Sequence, residues 1–228
     1  MELIIIITCL VSIALTYYLM KFNIKETENL AKNEELNNIA NKYPSNIEVC
    51  KEILKKLNNE NVKIEERPES ESILYIAIQN KILIGNTHNS FTRIQTMAHE
   101  ALHSIQDKKL LIFNFIYSNI YLLYFMIISI LVILKKLPNT LLFSNILLIS
   151  SFVYYVIRIY LENDAMIKAE YFAKKYIEDK KISTKEEINK IEEGFKKINK
   201  ECIKATNLSL FVNIMIKVII FNGLALIF

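Results

Sequence analysis

The sequence predicts a mainly α polytopic membrane protein with a small antiparallel β-sheet (α+β): four transmembrane helices and a water-exposed domain. Three observations carry this. Residues 3–20, 110–134, 141–161 and 208–228 are apolar runs, each long enough to cross a bilayer as a helix. Only three Gly and three Pro occur in 228 residues that are 52% hydrophobic, which favours helices over a turn-rich β protein. Strand-like alternation is confined to one stretch, residues 61–85.

Charge and cysteine content narrow the class. The net charge is +4 and the lysines are interleaved with glutamates, so the chain lacks the basic footprint of a nucleic-acid binder. Cys9, Cys50 and Cys202 form no C-x-x-C pair, and each falls in an apolar setting. They read as buried free thiols in a reducing compartment.

The first run, 3–20, is followed by Lys21 and Lys25. It lacks the basic n-region and cleavage site of a signal peptide and reads as a retained anchor. Residues 23–43 are polar and predict a helix whose buried edge is Leu36, Ile39, Ala40 and Tyr43. Pro44 stops it, and Ser45 with Glu48 predicts a capping box for a helix through Leu57, with Ile47, Cys50, Ile53, Leu54 and Leu57 on one face. Residues 61–66, 73–78 and 81–85 predict three short strands, the last two a hairpin about Gln79 and Asn80. Such a sheet either holds an extended peptide along its exposed edge or merely covers the next helix.

That helix is predicted from Ser90 to about Lys108, with Ile94, Met97, Ala98, Ala101, Leu102 and Ile105 as its apolar stripe and Thr92 with Gln95 as its capping box. It carries His99-Glu100-Ala101-Leu102-His103, an H-E-x-x-H motif holding two of the three histidines. Positions i and i+4 share a helix face, so both imidazoles reach one metal ion with Glu100 beside it. The histidines lie away from the centre of the stripe, which argues against a pair of core histidines.

Residues 110–134, closed by Lys135 and Lys136, turn at Pro138 into 141–161, a membrane hairpin that returns the chain to the side it left. The segment after Leu161 therefore shares a side with the histidines. There Glu162 starts a stripe continued by Ala165, Ala169, Phe172 and Tyr176. Such a carboxylate is either a third metal ligand, because two histidines leave zinc undercoordinated, or an acid solvated at the end of a membrane helix. Ser183 with Glu186 predicts the cap of the next helix, whose Ile188, Ile191, Phe195, Ile198 and Cys202 form an apolar seam leading into 208–228.

Lys21, Lys25, Lys108, Lys109, Arg158, Lys168, Lys200 and Lys204 gather on one side of the bilayer, against Lys135 and Lys136 on the other. The positive-inside rule then places residues 22–108 and 162–205 in the cytoplasm. Lys217, near the centre of the fourth run, is costly in hydrocarbon and is expected to face the bundle interior, where Ser12, Asn119 and Ser151 lie at similar depth.

The pairing of A-H-E-x-x-H-x-x-Q, Ala98 to Gln106, with E-x-x-A-x-x-x-A, Glu162 to Ala169, after a membrane hairpin resembles the neutral zinc metallopeptidases of bacterial membranes, the YugP type within the gluzincin group. The resemblance covers nearly the whole chain. It implies a multi-pass protein of the bacterial inner membrane with a cytoplasmic gluzincin-like zinc domain. In it Zn2+ is held by His99, His103 and Glu162, and Glu100 is the catalytic base acting on a zinc-bound water. The implied activity is a zinc endopeptidase acting near the cytoplasmic membrane surface, with a peptide or membrane-protein substrate and the lipid bilayer as partners and no nucleic acid. The chain departs from the pattern at Leu102, where the family often has Gly, and at Met166, where related membrane gluzincins carry Asp; Asp164 points to another helix face. His88 is the one oxyanion-donor candidate, on the loop before the motif. Two other classes stay open: a non-catalytic membrane scaffold or regulatory protein retaining a structural metal site, and a transport-related four-helix protein built round Lys217.

Overall fold

A computed structural model describes residues 1–21, 23–70, 72–86 and 90–228. Its elements in chain order are α1 (Glu2–Met20), α2 (Ile24–Ala31), α3 (Glu34–Asn41), α4 (Asn46–Lys56), β1 (Lys63–Arg67), β2 (Leu74–Ile76), β3 (Lys81–Gly85), α5 (Arg93–His103), α6 (Lys108–Ile133), α7 (Thr140–Lys180) and α8 (Lys185–Ile227). The chain divides into two units: residues 1–22, 113–160 and 204–228 form one, and residues 23–112 and 161–203 the other.

The first unit gathers the four apolar runs. Helices α1, α6, α7 and α8 are each long and apolar enough to cross a membrane. Their interior is sparse: Cys9, Tyr121, Ile128, Val132, Leu147, Ile214, Met215, Val218 and Phe221 are buried, while Ile4, Ile149 and Val156 among many others stay exposed, the distribution a lipid solvent permits. Two polar pairs lie inside, Ser144 with Asn222 at 3.0 Å and Tyr121 with Ser151 at 2.8 Å. Hydroxyl and amide groups in such a place satisfy one another where no water can.

The second unit packs α2–α5 and the adjoining parts of α7 and α8 around a core that includes Ile53, Phe91, Ile94, Met97, Ala98, Ala101, Tyr176, Ile191 and Phe195. Residues 23–43 form two helices rather than one, because the Asn33 side chain accepts the Leu36 N–H and starts α3 afresh. The expected edge, Leu36, Ile39, Ala40 and Tyr43, is buried. Ser45 caps α4 through the Glu48 N–H as expected.

The sheet is mixed, not antiparallel. Its order is β1-β3-β2, with β3 antiparallel to β2 and parallel to β1 in the register Lys63↔Lys81 to Arg67↔Gly85. The reason is composition: β3 has Ile82, Leu83 and Ile84 buried on both faces and takes the centre, whereas β1, Lys-Ile-Glu-Glu-Arg, suits an edge. The β2–β3 turn spans Ala77 to Asn80, longer than the expected pair, with Asn80 in the left-handed region at φ 46°.

Three further expectations shift. The Thr92 side chain makes no cap bond, and Ser90 Oγ accepts the Thr92 N–H instead. The cap of α8 is Thr184, whose Oγ1 accepts the Glu187 N–H while Glu187 accepts the Thr184 N–H, one residue beyond the expected Ser183 and Glu186. Helix α5 ends at His103 and leaves Ile105 exposed, because Asp107 Oδ1 accepts the N–H groups of Lys109 and Leu110 and starts α6.

Arg93, in the first turn of α5, is buried and donates to the carbonyls of Ala40, Tyr43 and Pro44 and to Asn46 Oδ1, all within 3.0 Å. One guanidinium fork thereby donates to carbonyls at and just after the end of α3 and ties that corner to the motif helix.

Candidate metal centre

Most faces of α5 are covered. Ile94, Met97, Ala98, Ala101 and Leu102 lie in the core, and His103 and Glu100 are buried on the other side. Leu102, where the resembled family often has Gly, is absorbed into the core. Ala165 and Ala169 on α7 are buried in the same core as Ala98 and Ala101 of α5, three and seven residues beyond Glu162.

The Nε2 atoms of His99 and His103 are 3.1 Å apart, and Glu162 Oε2 lies 3.4 Å from the first and 3.7 Å from the second. Donors around one ion with bonds of about 2.0–2.2 Å at tetrahedral angles sit about 3.3–3.6 Å from one another. The three edges average within that range, so the donor set fits a zinc-sized ion with a fourth direction left open. Among the described residues these three form a His, Cys, Asp or Glu group able to hold a metal.

The supporting contacts fix the tautomer. Gln106 Nε2 donates to the Leu161 carbonyl at 2.8 Å and to Asp164 Oδ2 at 3.1 Å, which leaves Gln106 Oε1 to face His103 Nδ1 at 2.8 Å. The proton of His103 therefore sits on Nδ1, and the Nε2 lone pair points at the shared centre. Asp164 also pairs with Lys168 at 2.5 Å. The sequence shows the Gln106 spacing from His103 but not its partners, and Asp164 joins the site through Gln106 rather than by facing the histidines.

Glu100 stands beside the triangle, with Oε1 3.9 Å from His99 Nε2 and Oε2 accepting the Tyr75 N–H of β2 at 2.6 Å. Burial raises its pKa, and the two histidines and the Tyr75 amide only partly offset that. At His103 burial opposes the imidazolium, but Glu162, Glu100 and Gln106 outweigh it and raise the pKa. The two carboxylates thus favour positive charge at His103. The Tyr75 amide belongs to the edge of β2 opposite β3, with which no strand pairs among the described residues. His88 lies outside the described residues.

Beside His99 opens a cavity of about 420 Å³ with a mainly apolar surface, lined by Met166, Ala169 and Ile198 together with Thr92 and Thr96. It is large enough for an apolar amino-acid side chain.

No family model, curated protein or solved structure matches this chain. The meaning of the centre therefore has to come from its own residues.

Proposed function

We propose that the protein is a membrane-anchored zinc endopeptidase of the gluzincin kind, acting on peptide or membrane-protein substrates at the cytoplasmic surface of a bacterial inner membrane. The observation that carries the reading is the triangle of His99 Nε2, His103 Nε2 and Glu162 Oε2, with edges of 3.1–3.7 Å, and a buried carboxylate against it. His99, His103 and Glu162 would hold Zn2+. When bound, the metal supplies Lewis acidity for polarising a carbonyl and acidifying water.

The chain's own groups supply the rest. Glu100, its pKa raised by burial, takes a proton from the attacking water and passes it to the leaving amine. Gln106 holds the His103 ring, and through Asp164 and the Leu161 carbonyl it ties that ring to the helix that carries Glu162. The edge of β2 opposite β3 runs past Glu100, which holds its Tyr75 N–H, and its remaining backbone groups are offered to an extended substrate, whose apolar side chain enters the cavity beside His99.

One observation favours a second reading. The short Tyr75–Glu100 bond ties β2 to α5 and suits a structural carboxylate in a non-catalytic scaffold with a metal site. Glu100→Gln separates the two, because a Gln oxygen still accepts the Tyr75 N–H. In detergent-purified protein the endopeptidase reading expects one zinc per chain in both wild type and Glu100→Gln, with cleavage of a casein or peptide library lost in the variant. It expects loss of zinc in Glu162→Ala. Undiminished cleavage by Glu100→Gln, or full zinc in Glu162→Ala, overturns it.

A further inference from the structure

Lys217 lies near the middle of the apolar part of α8, about 13 Å along the helix from Leu208 and about 16 Å from Phe228. A lysine side chain reaches about 6 Å, too short to bring its ammonium to either interface. Instead the ammonium contacts Asn213 Oδ1 one turn back and sits 5.6 Å from the ring centre of Tyr121, whose hydroxyl in turn meets Ser151. Of the expected polar layer, only Ser151 is linked to Lys217 in this way, and through Tyr121, which the sequence did not single out. Asn119 bonds the Phe115 carbonyl, and the Ser12 carbonyl accepts from Thr16.

These contacts solvate the charge without neutralising it. The only acidic residue in the sequence of residues 1–22, 113–160 and 204–228 is Glu2, which is engaged at the start of α1 by Thr140 and the amino terminus. An uncompensated ammonium at mid-bilayer is costly and marks a functional position.

The surroundings of Lys217 have the form of a helix-packing face. Asn213, Ile216, Lys217 and Ile220 follow i, i+3, i+4, i+7 spacing; Asn213, Ile216 and Ile220 are exposed and Lys217 half-buried. Gly223 continues the face one turn on, with open space where a side chain would stand. We propose that this face of α8 docks a transmembrane helix of another protein, one that carries an Asp or Glu near mid-bilayer to pair with Lys217. A second copy of this chain does not meet the requirement, because its apolar spans offer no acid at that depth. The inference rests on α8 crossing a bilayer and is independent of the metal centre.

The test uses the full chain in zwitterionic-lipid nanodiscs with a fluorescent Leu-Ala transmembrane peptide bearing one central Glu, or Gln in its place, and reads association by energy transfer. Wild type is expected to favour the Glu peptide by on the order of tenfold. Lys217→Arg keeps that preference, Lys217→Met abolishes it, and Gly223→Leu weakens binding of both peptides by crowding the face. Equal association of the two peptides with wild type, or a preference surviving in Lys217→Met, overturns the proposal. The wild-type comparison stands even where a variant fails to fold. Carbonate extraction of the native membrane separates the two premises: release of the chain defeats the membrane-spanning reading itself, and retention without Glu preference defeats only the docking face.

Discussion

Gln106 and His103 meet at 2.8 Å, through Oε1 and Nδ1, at the point where α5 has just ended. The other end of the same amide bonds Leu161 and Asp164, one residue before and two after Glu162 in sequence. A single side chain therefore sets the direction of one ligand and its distance from another. Replacing it by Leu removes both functions while keeping most of the volume. Zinc affinity, measured by competition with a chromophoric chelator, is expected to fall by about 10–100-fold. Gln106→Glu retains the acceptor for His103 and is expected to lose less.

Zinc binding should also weaken on the acid side. Burial disfavours the His103 imidazolium, yet Glu162, Glu100 and Gln106 raise its pKa above the ordinary histidine value. A proton on Nε2 excludes the metal, so protons compete while the pH is still above that ordinary value, and affinity is full only above the raised pKa. The expected result is a zinc dissociation constant that rises as pH falls, with the break on the alkaline side of an unperturbed histidine. Glu162→Gln, which removes a carboxylate that stabilises the imidazolium, should move the break to lower pH.

The cavity beside His99 makes a specificity prediction. Thr96 lines it from the motif helix, one turn before His99. Thr96→Leu reduces the space without touching a ligand. Cleavage of peptides with a large apolar residue beside the scissile bond is expected to drop about tenfold or more relative to those with Ala there, with zinc content unchanged. A uniform loss across all peptides would place the substrate side chain elsewhere.

Arg93 is the stability prediction. Its guanidinium serves three carbonyls and one side-chain oxygen while buried. Arg93→Met keeps much of the bulk and removes the four buried donor contacts. The expected cost is about 3 kcal/mol or more, read as a lowered thermal midpoint of the apo protein in detergent. Lys174→Met, which removes an exposed ion pair with Glu192, is the contrasting control and should be nearly neutral.

Helix faces were largely legible in the amino-acid order. The stripe of Leu36, Ile39, Ala40 and Tyr43 and the seam of Ile191, Phe195 and Ile198 are buried where their spacing placed them, because amphipathic periodicity is a local property. Element ends and strand order were not. The stop at His103 depends on Asp107 beginning a new helix, and the central place of β3 depends on which strand has two apolar surroundings to fill. Arg93 carried no sequence signal at all, since its partners lie about 50 residues away.

The sequence by itself determined the four apolar spans, the helical pairing of His99 with His103, and the candidacy of Glu162, because each is a matter of residue type and short-range spacing. Only the tertiary structure decided that Glu162 Oε2 comes within 3.7 Å of both imidazoles, that Tyr75 lends its amide to Glu100, and that Gln106 bridges His103 to α7. Those are contacts between segments 25 to 63 positions apart, and their distances are set by how the helices and β2 pack around the shared core, which residue type and short-range spacing do not encode.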